Sequence, residues 1–196
     1  MLAVLIRHAV VPVQDRIGLR AELSLSEEGR RQARGLAERL KQVDLAAIFT
    51  SPLRRTEETA QAIAEGREVA VTGEPALVEV NPGEWDNRRF RDLAGDACWK
   101  FFNTFRGGTR IPGGEMMIEV QARAVTFLEK ISHQFAARTV AVVSHADVIR
   151  AAICHYTGVP LDLSMRLEVS PASVSVLEIA EWGARLVRLN DTGELF

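Results

Sequence analysis

The sequence predicts an α/β fold: a three-layer α/β/α sandwich with a mostly parallel central sheet, an antiparallel C-terminal strand and a small helical cap insertion. Three observations point there. Short apolar runs at residues 2–6, 46–50 and 140–143 have the length and uniform hydrophobicity of strands buried on both faces. Amphipathic segments lie between them, which makes neighbouring strands parallel and puts helices on both sides of the sheet. Only the end of the chain alternates apolar and polar residues in the manner of an antiparallel hairpin. A length of 196 residues, 47% of them hydrophobic and 26% charged, fits one domain over 1–196 and excludes a disordered, collagen-like or disulfide-rich chain.

Residues 2–6 form the first strand, and a polar stretch follows to about Ser24. A helix opens at 26–29, with Ala33, Leu36, Ala37 and Leu40 on one face at spacings of three, four and seven. Ser26 is one candidate N-cap; Ser24 with Glu27 three residues on is a competing capping box. The second strand runs into Ser51-Pro52. That pair reads as a helix start, serine as cap and proline at the first helical position, and the helix extends to about Glu65. A weak strand is expected at 69–71. From Asn81 to Gly114 periodicity fades, and Pro82-Gly83, Gly107-Gly108 and Pro112-Gly113-Gly114 punctuate the chain. Residues from about 86 to 114 are expected to be the cap insertion, lying over the sheet edge. A long helix follows at 115–135, a buried strand at 140–143 and a helix at about 147–156. Residues 174–179 alternate and pair with 185–189 in a hairpin around Gly183.

Twenty-four basic and 26 acidic residues leave a net charge of −2, which argues against a general nucleic-acid binder. No apolar run approaches the roughly 18 residues of a membrane helix. Arg7 interrupts the apolar N-terminus too early for a signal peptide. The two cysteines, Cys98 and Cys154, are far apart and fit reduced thiols. The chain therefore reads as cytoplasmic, with no nucleic acid and no membrane among its partners.

Chemistry gathers where strands end. Arg7-His8 follows the first strand, Ser51-Pro52-Leu53-Arg54-Arg55 the second, and Ser144-His145-Ala146-Asp147 the strand at 140–143. In open α/β sheets ligands bind beyond the carboxyl ends of the strands. Parallel neighbours would bring two histidines and at least two arginines into one crevice, beside helix N-termini that favour anions. Arginines disfavour a metal there, so no metal and no cofactor is expected. A phosphate accounts for both residue types: guanidinium groups grip its oxygens, and a neutral imidazole can attack phosphorus. The leaving oxygen then needs a carboxylic acid nearby.

These motifs resemble those of the histidine phosphatase (phosphoglycerate mutase-like) superfamily, in its phosphatase branch. The resemblance runs through Leu5-Ile6-Arg7-His8, residues 25–33, Ser51-Pro52-Leu53-Arg54-Arg55-Thr56, Leu77-Val78-Glu79 with Gly83 and Trp85, residues 112–115, and Val143-Ser144-His145. It implies a nucleophile at His8, phosphate-binding arginines at Arg7 and Arg55, a second histidine at His145 that stabilises the transferring phosphoryl group, and a proton donor at Glu79. Gln14 falls where the family often has a phosphate-contacting asparagine, and the N–H of Ala146 is a further phosphate donor. Glu84, Glu115 and Asp147 are the competing carboxyls. The chain departs from the family at Ala9, Val10 and Val11, where glycine, glutamate and threonine are usual, and at Ala146, where glycine is usual.

The resemblance implies a metal-independent phosphomonoester phosphatase working through phosphohistidine. The alternatives are a bisphosphoglycerate-dependent phosphoglycerate mutase, disfavoured by the short insertion, and a non-catalytic phosphate-ligand binding module. Between Asp86 and Pro112 stand six basic and three acidic side chains, with Phe90, Trp99, Phe101, Phe102 and Phe105. As a lid, that segment would suit a small phosphorylated metabolite with an apolar portion; it is equally an ordinary helical cap. The open face of a terminal strand allows a homodimer.

Overall fold

The computed structural model describes residues 1–193. Its strands are β1 (Leu2–Arg7), β2 (Leu45–Thr50), β3 (Val71–Gly73), β4 (Thr139–Ser144), β5 (Val174–Ala180) and β6 (Gly183–Asp191). Its α-helices are α1 (Glu27–Leu40), α2 (Arg54–Ala64), α3 (Phe90–Leu93), α4 (Ala97–Thr104), α5 (Met117–Gln134) and α6 (Ala146–Thr157). The strands make one sheet in the order β3-β2-β4-β1-β5-β6. The first four in that order are parallel; β5 runs antiparallel to β1, and β6 antiparallel to β5.

Side-chain alternation along the strands builds the layers. Ala3 and Leu5 of β1, with Val140 and Val142 of β4, pack with Phe127, Leu128 and Ile131 of α5 and Ile149 and Ile153 of α6. Their neighbours Val4, Ile6, Ala141 and Val143 face the other way, onto Ala33, Leu36 and Leu40 of α1 and Ala60 and Ile63 of α2. Strands buried on both faces need uniformly apolar sequence, which is why these runs show no polar alternation.

Most expected elements form, with shifts at their ends. Ser26 is the α1 N-cap: its Oγ accepts from the Gly29 N–H at 3.0 Å. Ser51 does not cap a helix. α2 begins at Arg54, and its N-cap, Leu53, offers no side-chain bond. The Ser51 hydroxyl oxygen meets His145 at 2.8 Å and accepts from the Leu53 N–H at 3.4 Å, one residue ahead of the helix. The weak strand lies at 71–73 rather than 69–71, where it pairs with β2. α5 starts two residues late, after Glu119 reaches back to accept from the Met116 N–H at 2.9 Å. α6 ends at Gly158, whose φ of +71° suits glycine.

The segment at 86–114 does not lie over a sheet edge, which would be β3 or β6. Leu93, Phe102 and Ile111 pack with Trp85 onto Met117, Val120 and Ala124 of α5 and Val148 and Ala151 of α6. It therefore stands beside the carboxyl ends of β1 and β4. Among the described residues, no helix is long and apolar enough to cross a membrane.

Candidate active site

Strand order assembles the site. β4 lies between β2 and β1, with Thr50 opposite Val143 and Arg7 opposite Ser144. The next residue of each strand continues the ladder: His8 N–H donates to Ser144 O at 3.0 Å, and Ser51 N–H to Val143 O at 3.0 Å. His8, Ser51 and His145 thus emerge side by side at one end of the sheet. The two imidazoles are edge to face, with centroids 5.2 Å apart.

Arg55 fixes the proton positions. A guanidinium only donates, so every nitrogen it meets must be an acceptor. Its Nε donates to His8 Nε2 at 3.2 Å, which puts the His8 proton on Nδ1. That Nδ1–H donates to the Ala9 carbonyl at 2.8 Å. Arg55 Nη2 likewise donates to His145 Nδ1 at 3.2 Å, so His145 carries its proton on Nε2 and donates it to Ser51 Oγ. Burial pushes His8 down to about 3, aided by the Arg55 and Arg7 charges. Burial, then Arg55, also holds His145 well below the ordinary histidine range. Both rings are neutral at physiological pH.

His8 and Arg55 line a cleft of about 360 Å³ together with Arg7, Glu79, Arg106 and Asp147, while His145 and Ser51 lie fully buried behind them. Arg7 Nη1 donates to Val169 O at 2.7 Å, while its buried Nε has no partner among the described residues. Glu79 is 6% exposed. Burial and then the Asp147 carboxylate raise its pKa to about 7, against the pull of the Val80 N–H, Arg55 and Arg7. Ile17, Val80, Trp85, Trp99 and Phe102 make the outer walls apolar.

The comparisons bear on this geometry. The model of the "Histidine phosphatase superfamily (branch 1)" matches residues 3–192. The chain belongs to that superfamily. A relative, "Phosphoserine phosphatase 1" of Hydrogenobacter thermophilus, is 34% identical over 98% of this chain and 93% of its own. Among solved structures, Bacillus stearothermophilus YhfR superposes with a TM-score of 0.92 at 26% identity, covering 97% of this chain and 96% of that one. The "Alpha-ribazole Phosphatase" from Shigella flexneri gives 0.87 at 26%, covering 98% and 97%.

Of the histidine phosphatase residues singled out in the sequence, Arg7, His8, Arg55, Glu79 and His145 converge. Gln14 lines the same cleft but is exposed, and its amide donates to Pro12 O at 3.2 Å. Ala146 is the first residue of α6, where a backbone N–H has no partner within the helix. Neither Ala9 nor Ala146 lies in the left-handed region, so the missing glycines strain nothing. Ala9 N–H donates to Thr59 Oγ1 at 3.1 Å, which anchors that turn. Of the competing carboxyls, Asp147 reaches the cleft. Glu115 is instead held by Arg20, Arg123 and the Asn81 N–H.

Sequence reasoning missed two features. Ser51 serves His145, and no local pattern reports a partner 94 residues away. Arg106 is buried in the cleft wall, bonded to Asp147 at 2.6 Å and set 4.5 Å over the Phe102 ring. In the sequence it was one of six positive charges in the 86–112 segment; only its neighbouring aromatics hinted at burial.

Proposed function

We propose that this protein is a phosphomonoester phosphatase that works through phospho-His8. One observation carries the reading: a neutral His8, its Nδ1–H tied to the Ala9 carbonyl, presents the Nε2 lone pair to a cleft that holds Arg7, Arg55 and a carboxyl raised to about 7. The relatives named as phosphatases of phosphoserine and alpha-ribazole support the same reaction class.

Substrate phosphate takes the Arg55 bond that His8 Nε2 now receives. Nε2 then attacks phosphorus in line, and the P–O ester bond breaks with its electron pair on the leaving oxygen. Glu79 gives that oxygen its proton and becomes a carboxylate. Arg7, Arg55 and His145 hold the equatorial oxygens while charge spreads over them. Water next attacks phosphorus, Glu79 takes its proton, and the P–N bond breaks to return the pair to Nε2. The residues supply nucleophile, acid and charge, so no metal or cofactor enters the scheme.

The cleft walls suit a small phosphorylated metabolite whose leaving group has an apolar portion. The test is phosphate release from p-nitrophenyl phosphate, with and without chelator, for the wild type and His8→Ala. Chelator-resistant release by the wild type, lost at least ~10³-fold in the variant, is expected. Retained turnover by His8→Ala would overturn the mechanism. A stable phosphohistidine without release would favour the mutase reading, and binding without either would favour the non-catalytic one.

A further inference from the structure

Glu79 stands in a stretch without helix or strand, between the 3-10 turns Pro75–Leu77 and Gly83–Trp85. Among the described residues its own side chain makes one bond, from the Val80 N–H to Oε1 at 2.9 Å. A proton donor needs firmer placement, because about 1 Å of displacement costs up to ~10²-fold in rate.

Arg20 provides the fixture. It lies in the loop after β1, and its Nε donates to the Glu79 carbonyl at 2.9 Å. Its Nη2 donates to Glu115 Oε2, also at 2.9 Å. Glu115 is an anchored base. The same oxygen accepts from the Asn81 N–H at 2.7 Å, and Arg123 donates to Oε1 at 3.0 Å. Arg123 in turn donates to Ala76 O at 2.6 Å, so the stretch bearing Glu79 is gripped on both sides. The residues flanking Arg20 face the opposite way: the Leu19 and Ala21 carbonyls accept from Arg55 Nη2 and Nη1. Three consecutive residues therefore touch both the phosphate clamp and the backbone of the acid.

We propose that Arg20, seated on Glu115, is a positioning residue that sets the Glu79 carboxyl against the leaving oxygen and couples it to Arg55. This rests on Glu79 being the proton donor. The planar fork matters, since one guanidinium meets a carbonyl and a carboxylate at once, which a lysine ammonium on a flexible stem does not reproduce.

Leaving groups report acid placement directly. An alkoxide needs a proton to depart and a nitrophenolate hardly does, so a displaced acid penalises alkyl esters selectively. We would measure kcat/KM for alkyl and p-nitrophenyl phosphates with the wild type, Arg20→Met, Glu79→Gln and the double variant, each checked for folding by circular dichroism. Expected for Arg20→Met is a loss of ~30-fold on the alkyl ester and under ~3-fold on the aryl ester. Glu79→Gln should show the same selectivity, larger, with the double variant no worse than Glu79→Gln alone. Where Arg20→Met fails to fold, Arg20→Lys replaces it, with an intermediate selectivity expected. An equal loss on both esters, with Glu79→Gln still selective, would make Arg20 merely structural. A Glu79→Gln variant without selectivity would overturn the proton-donor reading and this proposal with it.

Discussion

Two side chains in the cleft titrate far from their ordinary values, and in opposite directions. Burial lowers His8 to about 3 and raises Glu79 to about 7. The proposed mechanism needs His8 without its second proton and Glu79 with its own, so both are correctly charged only between those values. On alkyl esters, kcat/KM is expected to fall tenfold per pH unit above about 7, and Glu79→Gln should remove that limb. A wild-type profile flat to pH 9 would exclude Glu79 as the acid. The same group bears on stability. Its folded pKa exceeds the ordinary 4.5, so the folded state holds the proton more tightly, and that contribution is lost as pH rises from 4.5 through 7. Glu79→Gln should therefore stabilise the fold at pH 8 by on the order of 1–3 kcal/mol, seen as a higher Tm, with far less effect at pH 4.5. Thermal melts at the two pH values decide it.

At the scale of elements, turns and caps hold the strand ends that carry the proposed site. Ser26 Oγ accepts from the Gly29 N–H and donates to Val10 O at 3.2 Å, so it caps α1 and ties the turn after His8. Ser26→Ala should cost about 1–2 kcal/mol in urea melts. Gly83, two residues before Trp85, has a φ of +50°, and an added Cβ would lie 2.1 Å from Pro112 O. Gly83→Ala should destabilise by at least ~2 kcal/mol and loosen the stretch that carries Glu79. A melt unchanged by that substitution would contradict the packing of residues 83 and 112.

For the whole molecule, residues 86–114 are tied to the body by an aromatic and ionic knot. Phe102 meets Trp85 at 5.4 Å, the Arg106 guanidinium covers its ring, and Arg106 reaches Asp147 on α6. Phe102→Ala should cost about 3–5 kcal/mol and raise KM for bulky esters more than for small ones, since it removes a cleft wall. Tryptophan-fluorescence urea melts and a substrate-size series measure both. The chain as a whole carries a net charge of −2, yet its cleft concentrates arginine. Capture of a phosphate ester by the proposed site would be a local field effect, and kcat/KM should fall as salt is raised.

The amino-acid sequence alone determined the layers and pointed to the side chains gathered at the strand ends. Apolar runs at β1, β2 and β4 must be buried on both faces, and each is followed at once by residues of phosphate chemistry. Periodicity and strand-end position are local properties, so they are legible without a structure. The helix assigned to Ser51 starts at Arg54 instead, and the bond from Ser51 to His145 is non-local, since only the placement of β4 beside β2 brings the two near. Tertiary structure likewise decided that Arg106 is buried on α6, that the 86–114 segment avoids the sheet edges, and that Arg20 joins Glu79 to Glu115. Each depends on which distant elements become neighbours, and that is set by packing the whole sheet and its helices together.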